Sequence, residues 1–190
     1  MRRITAYTHR YDKVVDKILV NCTVSIPDDT EYTASLNALW DTGANITCIS
    51  TRIISKLGLS AVDKVLISVA NNETYEAQSY YVSLQMGAFI IPFIKVLGLP
   101  MDESKDMIIG MDVIARGDLS ITNYSGRTIL SFREPSLQTI DYVEELKLQD
   151  KCDKMHRINE SKKMPDKCAC GSGKDYKNCH GKSIYAKVTL

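Results

Sequence analysis

The feature that most constrains the fold is an Asp-Thr-Gly turn between two apolar runs. Asp41, Thr42 and Gly43 follow the apolar residues 38–40 and precede the mostly apolar segment 46–49. A carboxylate placed between apolar strands costs free energy unless it has a partner and a task. The turn is therefore typical of an active site, and we expect its carboxylate to be buried.

The residues around this turn predict a mainly β domain with two short helices. Gly58 would end the first helix, which Ser50 or Thr51 would cap, and Pro92 predicts an edge strand or a bulge. Short strands separated by turn signals are typical of a compact barrel. The predicted strands are Lys17–Ile26, Ser35–Trp40, Val65–Ala70, Tyr75–Leu84, Phe89–Leu97, Met107–Ile109, Leu119–Thr122 and Arg127–Phe132, and the predicted helices are Arg52–Leu57 and Met111–Arg116.

A second motif links this turn to a known family. The apolar segment 107–109 precedes Gly110 and the second short helix. Together with the Asp-Thr-Gly turn, it resembles the retropepsin-like aspartic protease family over residues 15–133. The resemblance implies a closed β barrel equivalent to a single pepsin lobe, with the apolar-apolar-Gly segment packed behind the turn. It also implies an aspartic endopeptidase that is active as a homodimer.

The resemblance assigns a role to each residue of the turn. Asp41 from each of two subunits would activate water for peptide-bond hydrolysis, and the two carboxylates would share one proton. Thr42 would hydrogen-bond across the dimer, and Gly43 would let the backbone approach the carboxylates. The hairpin 65–84 would close over the peptide as a flap. The residues expected to border the substrate are Ala44, Asn45, Ala70, Asn71 and Asn72.

Ala44 predicts a working pH nearer neutral than in relatives that carry serine at this position. A serine hydroxyl would donate to the neighbouring carboxylate and favour its ionised form, whereas alanine has no donor. Asp112, which follows Gly110, is open to two interpretations. It could be a second acid, but we interpret it as a residue that caps or starts the short helix.

The C-terminal segment contains a second candidate site. Three cysteines and a histidine offer Zn²⁺ a closed tetrahedral shell without an open position, which indicates a structural metal. The segment 166–182 resembles the SEC-C motif found at the end of the SecA translocase. Cys152 and His156 lie four residues apart and could bind metal on a helix, but they lack companions, so we leave them out of the site. The predicted zinc ligands are Cys168, Cys170, Cys179 and His180.

Charge differs between the two ends of the chain. Residues 147–190 carry eleven basic and five acidic side chains, against thirteen basic and eighteen acidic in residues 1–146. We expect a protease domain over 1–134, a helical arm over 135–165 and the zinc motif over 166–190. The basic tail would suit an acidic protein partner or the ribosome, and a solvated tail is the simpler interpretation.

The cysteine pattern and the hydropathy bear on location. The cysteines form a metal set and core thiols, not a disulfide framework, and no segment is long and apolar enough for a membrane span. We expect a cytoplasmic protein with no membrane partner. An alternative function stays open, in which the same fold is a non-catalytic dimeric adaptor that binds peptide and uses the zinc tail as an interaction module.

Overall fold

The computed structural model describes residues 4–68 and 74–182. The chain forms two compact units, with the boundary between Gln138 and Thr139. In the described residues we label ten strands and three α-helices. The strands are β1 Thr5–Arg10, β2 Leu19–Ile26, β3 Asp29–Trp40, β4 Cys48–Ser50, β5 Asp63–Ser68, β6 Thr74–Met86, β7 Phe89–Leu99, β8 Met107–Ile109, β9 Asp118–Thr122 and β10 Ile129–Glu134, and the helices are α1 Thr51–Leu57, α2 Met111–Ile114 and α3 Tyr142–Ser161.

Six strands of the first unit form a closed barrel. They follow the order β2-β3-β8-β4-β7-β6, and β2 pairs with β6 through residues 23–25 and 83–85 to complete the circle. β8 pairs in parallel with β3, and β4 pairs in parallel with β7. β5 extends the sheet as the hairpin partner of β6. The barrel predicted from the sequence is thus confirmed.

Alternation of apolar and polar residues explains why these strands close around a core. Side chains at every second position of a strand point to the same face. The buried residues of β2 and β3 follow this alternation over most of their length. They are Val20, Cys22, Val24, Ala34, Leu36, Ala38 and Trp40.

Local signals in the sequence set several element boundaries. The Ser50 hydroxyl accepts from the backbone N–H of Ile53 and caps α1, and Gly58 ends this helix at φ +62°. In β7, Pro92 lies in a bulge, because the register with β6 shifts between the pairs Val82–Ile94 and Leu84–Ile91. Both features agree with the sequence predictions.

A second sheet contains a strand that the sequence did not predict. β1 pairs antiparallel with β10, and β10 pairs with β9. The ladder of β1 and β10 runs from Thr5 opposite Glu134 to Arg10 opposite Ile129. The residues of β1 alternate between half-buried and exposed. The strand therefore has no apolar run by which it could be recognised.

The described part of the second unit contains α3 and the short segment with the four predicted metal ligands. The Asp141 carboxylate caps α3 by accepting from the backbone N–H groups of Val143 and Glu144. Two 3₁₀ turns, Tyr176–Asn178 and His180–Lys182, follow in the tail. Among residues 4–68 and 74–182, no helix has the length and apolar character needed to cross a membrane.

Candidate functional site

The Asp-Thr-Gly turn lies between β3 and β4, at the end of the barrel strand that Asp41 follows. The backbone N–H of Asp41 donates to the Ile109 carbonyl at 3.0 Å. Its carboxylate oxygen Oδ1 accepts from the backbone N–H of Gly43 at 2.8 Å. The backbone N–H of Ala44 donates to the Asp41 carbonyl at 3.2 Å. These three bonds hold the carboxylate in one orientation.

The segment from β8 to α2 packs directly behind the turn, as the resemblance implies. The N–H of Met111 donates to the Ala44 carbonyl at 2.8 Å, and the N–H of Asp112 donates to the Asn45 carbonyl at 3.2 Å. A Cβ atom on Gly110 would lie 2.7 Å from the carbonyl carbon of Ile46, so a side chain there would displace the loop. Glycine at this position permits the close approach of the two segments.

Asp112 supports this loop, and both of its carboxylate oxygens accept hydrogen bonds there. Its carboxylate accepts from the backbone N–H of Thr47 at 3.0 Å and from the Thr47 hydroxyl at 2.6 Å. It also accepts from the N–H of Val113 in the first turn of α2. The Thr47 hydroxyl oxygen in turn accepts from the N–H of Gly110 at 3.0 Å. Sequence reasoning found the link to the short helix but not the link to Thr47.

The described part of the chain leaves the turn open to solvent. Thr42 and Gly43 are exposed and Asp41 is half-buried, so the expectation of a buried carboxylate is wrong for one subunit. Among the described residues, no side chain hydrogen-bonds to the Thr42 hydroxyl. Residues 4–68 and 74–182 leave this end of the barrel uncovered at Thr42 and Gly43. Ala44 is half-buried beside the turn, whereas Asn45 is exposed.

The predicted flap is described only in part. β5 and β6 form the expected hairpin, paired from Asp63 opposite Ser79 to Ser68 opposite Thr74. The three residues predicted to border the substrate from the tip lie outside the described residues. They are Ala70, Asn71 and Asn72.

The tail brings the four predicted metal ligands together. The ligand atoms of Cys168, Cys170, Cys179 and His180 all lie within 4.8 Å of one another. The Sγ atoms of Cys170 and Cys179 are 3.5 Å apart, and the Cys168 Sγ lies 3.2 Å from the His180 Nδ1. Ligands in a tetrahedral shell with bonds of about 2.0–2.3 Å are separated by about 3.3–3.8 Å. The four residues therefore fit a metal ion of this kind.

Backbone geometry and hydrogen bonds prepare the ligands for a cation. Gly171 and Gly173 have φ values of +80° and +72°, which allow the tight turn between the ligand pairs. Burial alone would raise the pKa of the Cys168 thiol. Hydrogen bonds from the backbone of Cys170 and of His180 outweigh this effect and lower the pKa to about 6. The thiolate form, which binds metal, is thereby favoured.

Helix α3 supplies side chains that contact the metal-ligand segment. The ring of His156 stacks on Tyr176, with centroids 4.1 Å apart, and its Nδ1 lies 2.6 Å from an Asp166 carboxylate oxygen. The Tyr176 hydroxyl donates to Asp153 at 2.6 Å, and this bond raises the pKa of Tyr176 to about 12. The Cys152 Sγ lies 3.6 Å from the Cys168 Sγ. Cys152 and His156, left out on sequence grounds, thus adjoin the site.

Comparison with known protein families agrees with both sites. Residues 33–116 match the family model described as "gag-polyprotein putative aspartyl protease". Residues 164–182 match the model of the SEC-C motif. Residues 33–116 are thus similar to this protease family, and residues 164–182 are similar to the SEC-C motif. The retropepsin-like match contains the Asp-Thr-Gly turn, β8 and α2, and the SEC-C match contains all four metal-ligand residues.

Solved structures similar to the retropepsin-like domain share little sequence with it. A retropepsin-like aspartic protease from Rickettsia conorii is 15% identical, with a TM-score of 0.45, over 70% of this chain and 98% of that one. The retroviral protease-like domain of Ddi1 from Leishmania major is 18% identical, with a TM-score of 0.38, over 56% and 78% respectively. No protein with a curated description shows significant sequence similarity to the chain.

Proposed function

We propose that the chain is an aspartic endopeptidase that is active as a homodimer. The observation that supports this proposal is the position and orientation of the Asp41 carboxylate. Its carboxylate is half-buried at the end of a barrel strand and is oriented by the N–H of Gly43, while the neighbouring Thr42 and Gly43 are exposed. A rigid loop that presents an oriented carboxylate at an uncovered surface suits a site completed by a second subunit.

The proposed reaction needs two carboxylates in different protonation states. One Asp41 accepts a proton from water, and the resulting hydroxide attacks the carbonyl carbon of the peptide. The Asp41 of the second subunit, which is protonated, donates its proton to the carbonyl oxygen. The tetrahedral diol then breaks down: the amine leaves with the proton of the first carboxylate as the C–N bond breaks, and the second carboxylate takes back a proton from one hydroxyl of the diol. Two carboxylates a few ångströms apart share one proton because both cannot ionise.

The remaining residues of the turn would position the reactants. Thr42 would hydrogen-bond to the opposite subunit and keep the two turns in register, while Gly43 leaves room beside the carboxylates. Ala44 and Asn45 would border the peptide substrate. The hairpin of β5 and β6, with its tip residues, would close over the peptide and exclude water.

The SEC-C motif would bind one structural Zn²⁺ through its three cysteines and its histidine. Zinc would supply folding free energy to a segment with few buried side chains. Lys174, Lys177 and Lys182 lie in or beside the ligand segment and suit an acidic protein partner or the ribosome. We propose that the motif brings the protease to its substrate or to a particular location. We also propose that the protein works in the cytoplasm.

The decisive experiment incubates the full chain with a peptide library across a range of pH. Wild type should cleave peptides, an aspartic protease inhibitor should stop the cleavage, and Asp41→Asn should abolish it. The matched control is Asp12→Asn, which neutralises an exposed carboxylate outside the turn. If no cleavage depends on Asp41 at any pH, the enzyme proposal fails. Peptide binding by a folded dimer would then favour the adaptor function.

A further inference from the structure

We propose that Cys152 is a positioning residue for the metal site, acting as a thiol donor from α3 to the ligand sulfur of Cys168. This inference rests on the metal-binding part of the proposed function and is independent of the protease part. It makes α3 a component of the metal module, so that the module extends beyond the residues that match the SEC-C motif.

The two sulfurs meet on the buried side of the ligand set. The Cys152 Sγ lies 3.6 Å from the Cys168 Sγ, within the range of a thiol hydrogen bond. Cys152 is 1% exposed and Cys168 is 6% exposed, whereas Cys170, Cys179 and His180 are half-buried. Cys152 therefore covers the ligand that is least accessible to water.

Other side chains of α3 hold Cys152 in this place. Gln149, Cys152, Asp153 and His156 have the spacing i, i+3, i+4 and i+7, which places them on one face of a helix. The Gln149 Nε2 donates to the backbone carbonyl of the ligand His180 at 3.2 Å. Asp153 and His156 both contact Tyr176, through its hydroxyl and its ring. The helix thus touches two ligand residues and the aromatic ring between them in sequence.

The Tyr176 ring is contacted by Gly181 as well as by α3, so it lies between the helix and the ligand segment. A Cβ atom on Gly181 would lie 2.7 Å from the Tyr176 ring, so the residue after the ligand His180 packs tightly on this ring. His156 covers the ring by stacking. Tyr176 therefore connects α3 to the segment that carries the ligand pair Cys179 and His180.

Charge provides the physical reason for a donor at this position. Three thiolates and one imidazole around a divalent cation leave a net negative charge, which is costly where water is excluded. Hydrogen bonds to the ligand sulfurs offset this cost and orient the ligands. Water can donate hydrogen bonds to the half-buried ligands. Cys168 is buried, so the S–H group of Cys152 would be its hydrogen-bond donor. Cys152 lies outside the set of four mutually close ligand atoms, so it is placed to support the shell and not to join it.

The test measures metal binding by the full chain, with Zn²⁺ in competition with a chromophoric chelator and with Co²⁺ absorption. Cys152→Ala should lower the affinity for Zn²⁺ about tenfold or more, the usual effect of losing a partner of a metal ligand. Cys152→Ser, which keeps a donor, should restore most of the affinity. The thiolate-to-Co²⁺ charge-transfer intensity should be equal in wild type and both variants, since three thiolates still bind the metal.

Two outcomes would overturn the inference. An unchanged Zn²⁺ affinity in Cys152→Ala would remove the positioning role, and a drop of charge-transfer intensity would identify Cys152 as a ligand. Gln149→Ala removes the bond to the His180 carbonyl without opening a cavity, and it should also weaken Zn²⁺ binding. This second variant tests the role of α3 even if Cys152→Ala fails to fold. Cys22→Ala in the barrel is the control and should bind like wild type. If wild type and Cys168→Ala bind metal equally poorly, the proposed metal site itself fails.

Discussion

The Asp112 carboxylate accepts both the backbone N–H and the hydroxyl of Thr47, and so joins the start of α2 to the loop that carries Asp41. Thr47 is fully buried, so its donors have no access to water. We expect Asp112→Ala to lower the free energy of unfolding by about 2–3 kcal/mol, the range for a hydrogen bond to a charged group with a buried partner. Chemical denaturation would measure the loss.

The hydrogen-bonded pair Asp112 and Thr47 should also affect catalysis if the enzyme proposal is correct. Asp112→Asn keeps one oxygen acceptor, so we expect a smaller loss of both stability and kcat than in Asp112→Ala. A double-mutant cycle with Thr47→Val would measure the coupling between the two side chains. Additive effects in that cycle would contradict a direct interaction. Asp12→Ala, at an exposed position, is the control for removing a carboxylate.

Mixing subunits would test whether one active site needs two chains. If equal amounts of wild type and Asp41→Asn exchange freely, about a quarter of the dimers carry two Asp41 carboxylates. Activity should therefore fall to about half of that of the same wild-type protein alone. Mixing with Asp12→Asn should cause no loss. Activity that stays constant on mixing with Asp41→Asn would show that each chain acts alone.

Substitution at Ala44 should move the pH dependence of cleavage. In Ala44→Ser, a hydroxyl donor beside Asp41 would stabilise the ionised carboxylate. The active form, in which one carboxylate of the pair is ionised, would then persist to lower pH. The acidic limb of the kcat/KM profile should move to lower pH while the peptide preference stays similar. An acidic limb that does not move would contradict this account of Ala44.

Metal removal should affect the two compact units differently. In the described part of the second unit only Cys152, Asn159 and Cys168 are buried, so little apolar burial stabilises it without a metal. A chelator should raise hydrogen exchange in α3 and the tail. Trp40, the single tryptophan, is buried in the barrel and packs on Phe132. Its fluorescence should stay unchanged, and a coincident loss of both signals would show that the units unfold together.

Features that depend on residues close together in the sequence were predictable. The cap of α1 at Ser50, its end at Gly58 and the bulge at Pro92 depend on residues within one or two turns of each other. The compact barrel was indicated by short strands separated by turn residues. The packing of β8 behind the Asp-Thr-Gly turn came from the family resemblance, since nothing in the residues alone pairs segments so distant in sequence.

Features created by distant contacts were not predictable. β1 has no apolar run and is defined by its pairing with β10, more than a hundred residues later. The bond between Thr47 and Asp112 joins residues that are 65 positions apart. Cys152 and His156 have no further ligands nearby in sequence, so the sequence alone does not attach them to the metal-ligand set. The polar face formed by Gln149, Cys152, Asp153 and His156 was the signal that could have attached them to the tail.

The pairing of Thr5 with Glu134 places the first and last strands of the barrel unit side by side. The chain therefore enters and leaves this unit at one point on its surface, a geometry that tolerates circular permutation and insertion into other proteins. A short loop could join the two strands, and new termini could be opened at an exposed turn elsewhere. Other segments can therefore be attached to this unit without changing the order of the strands in its core.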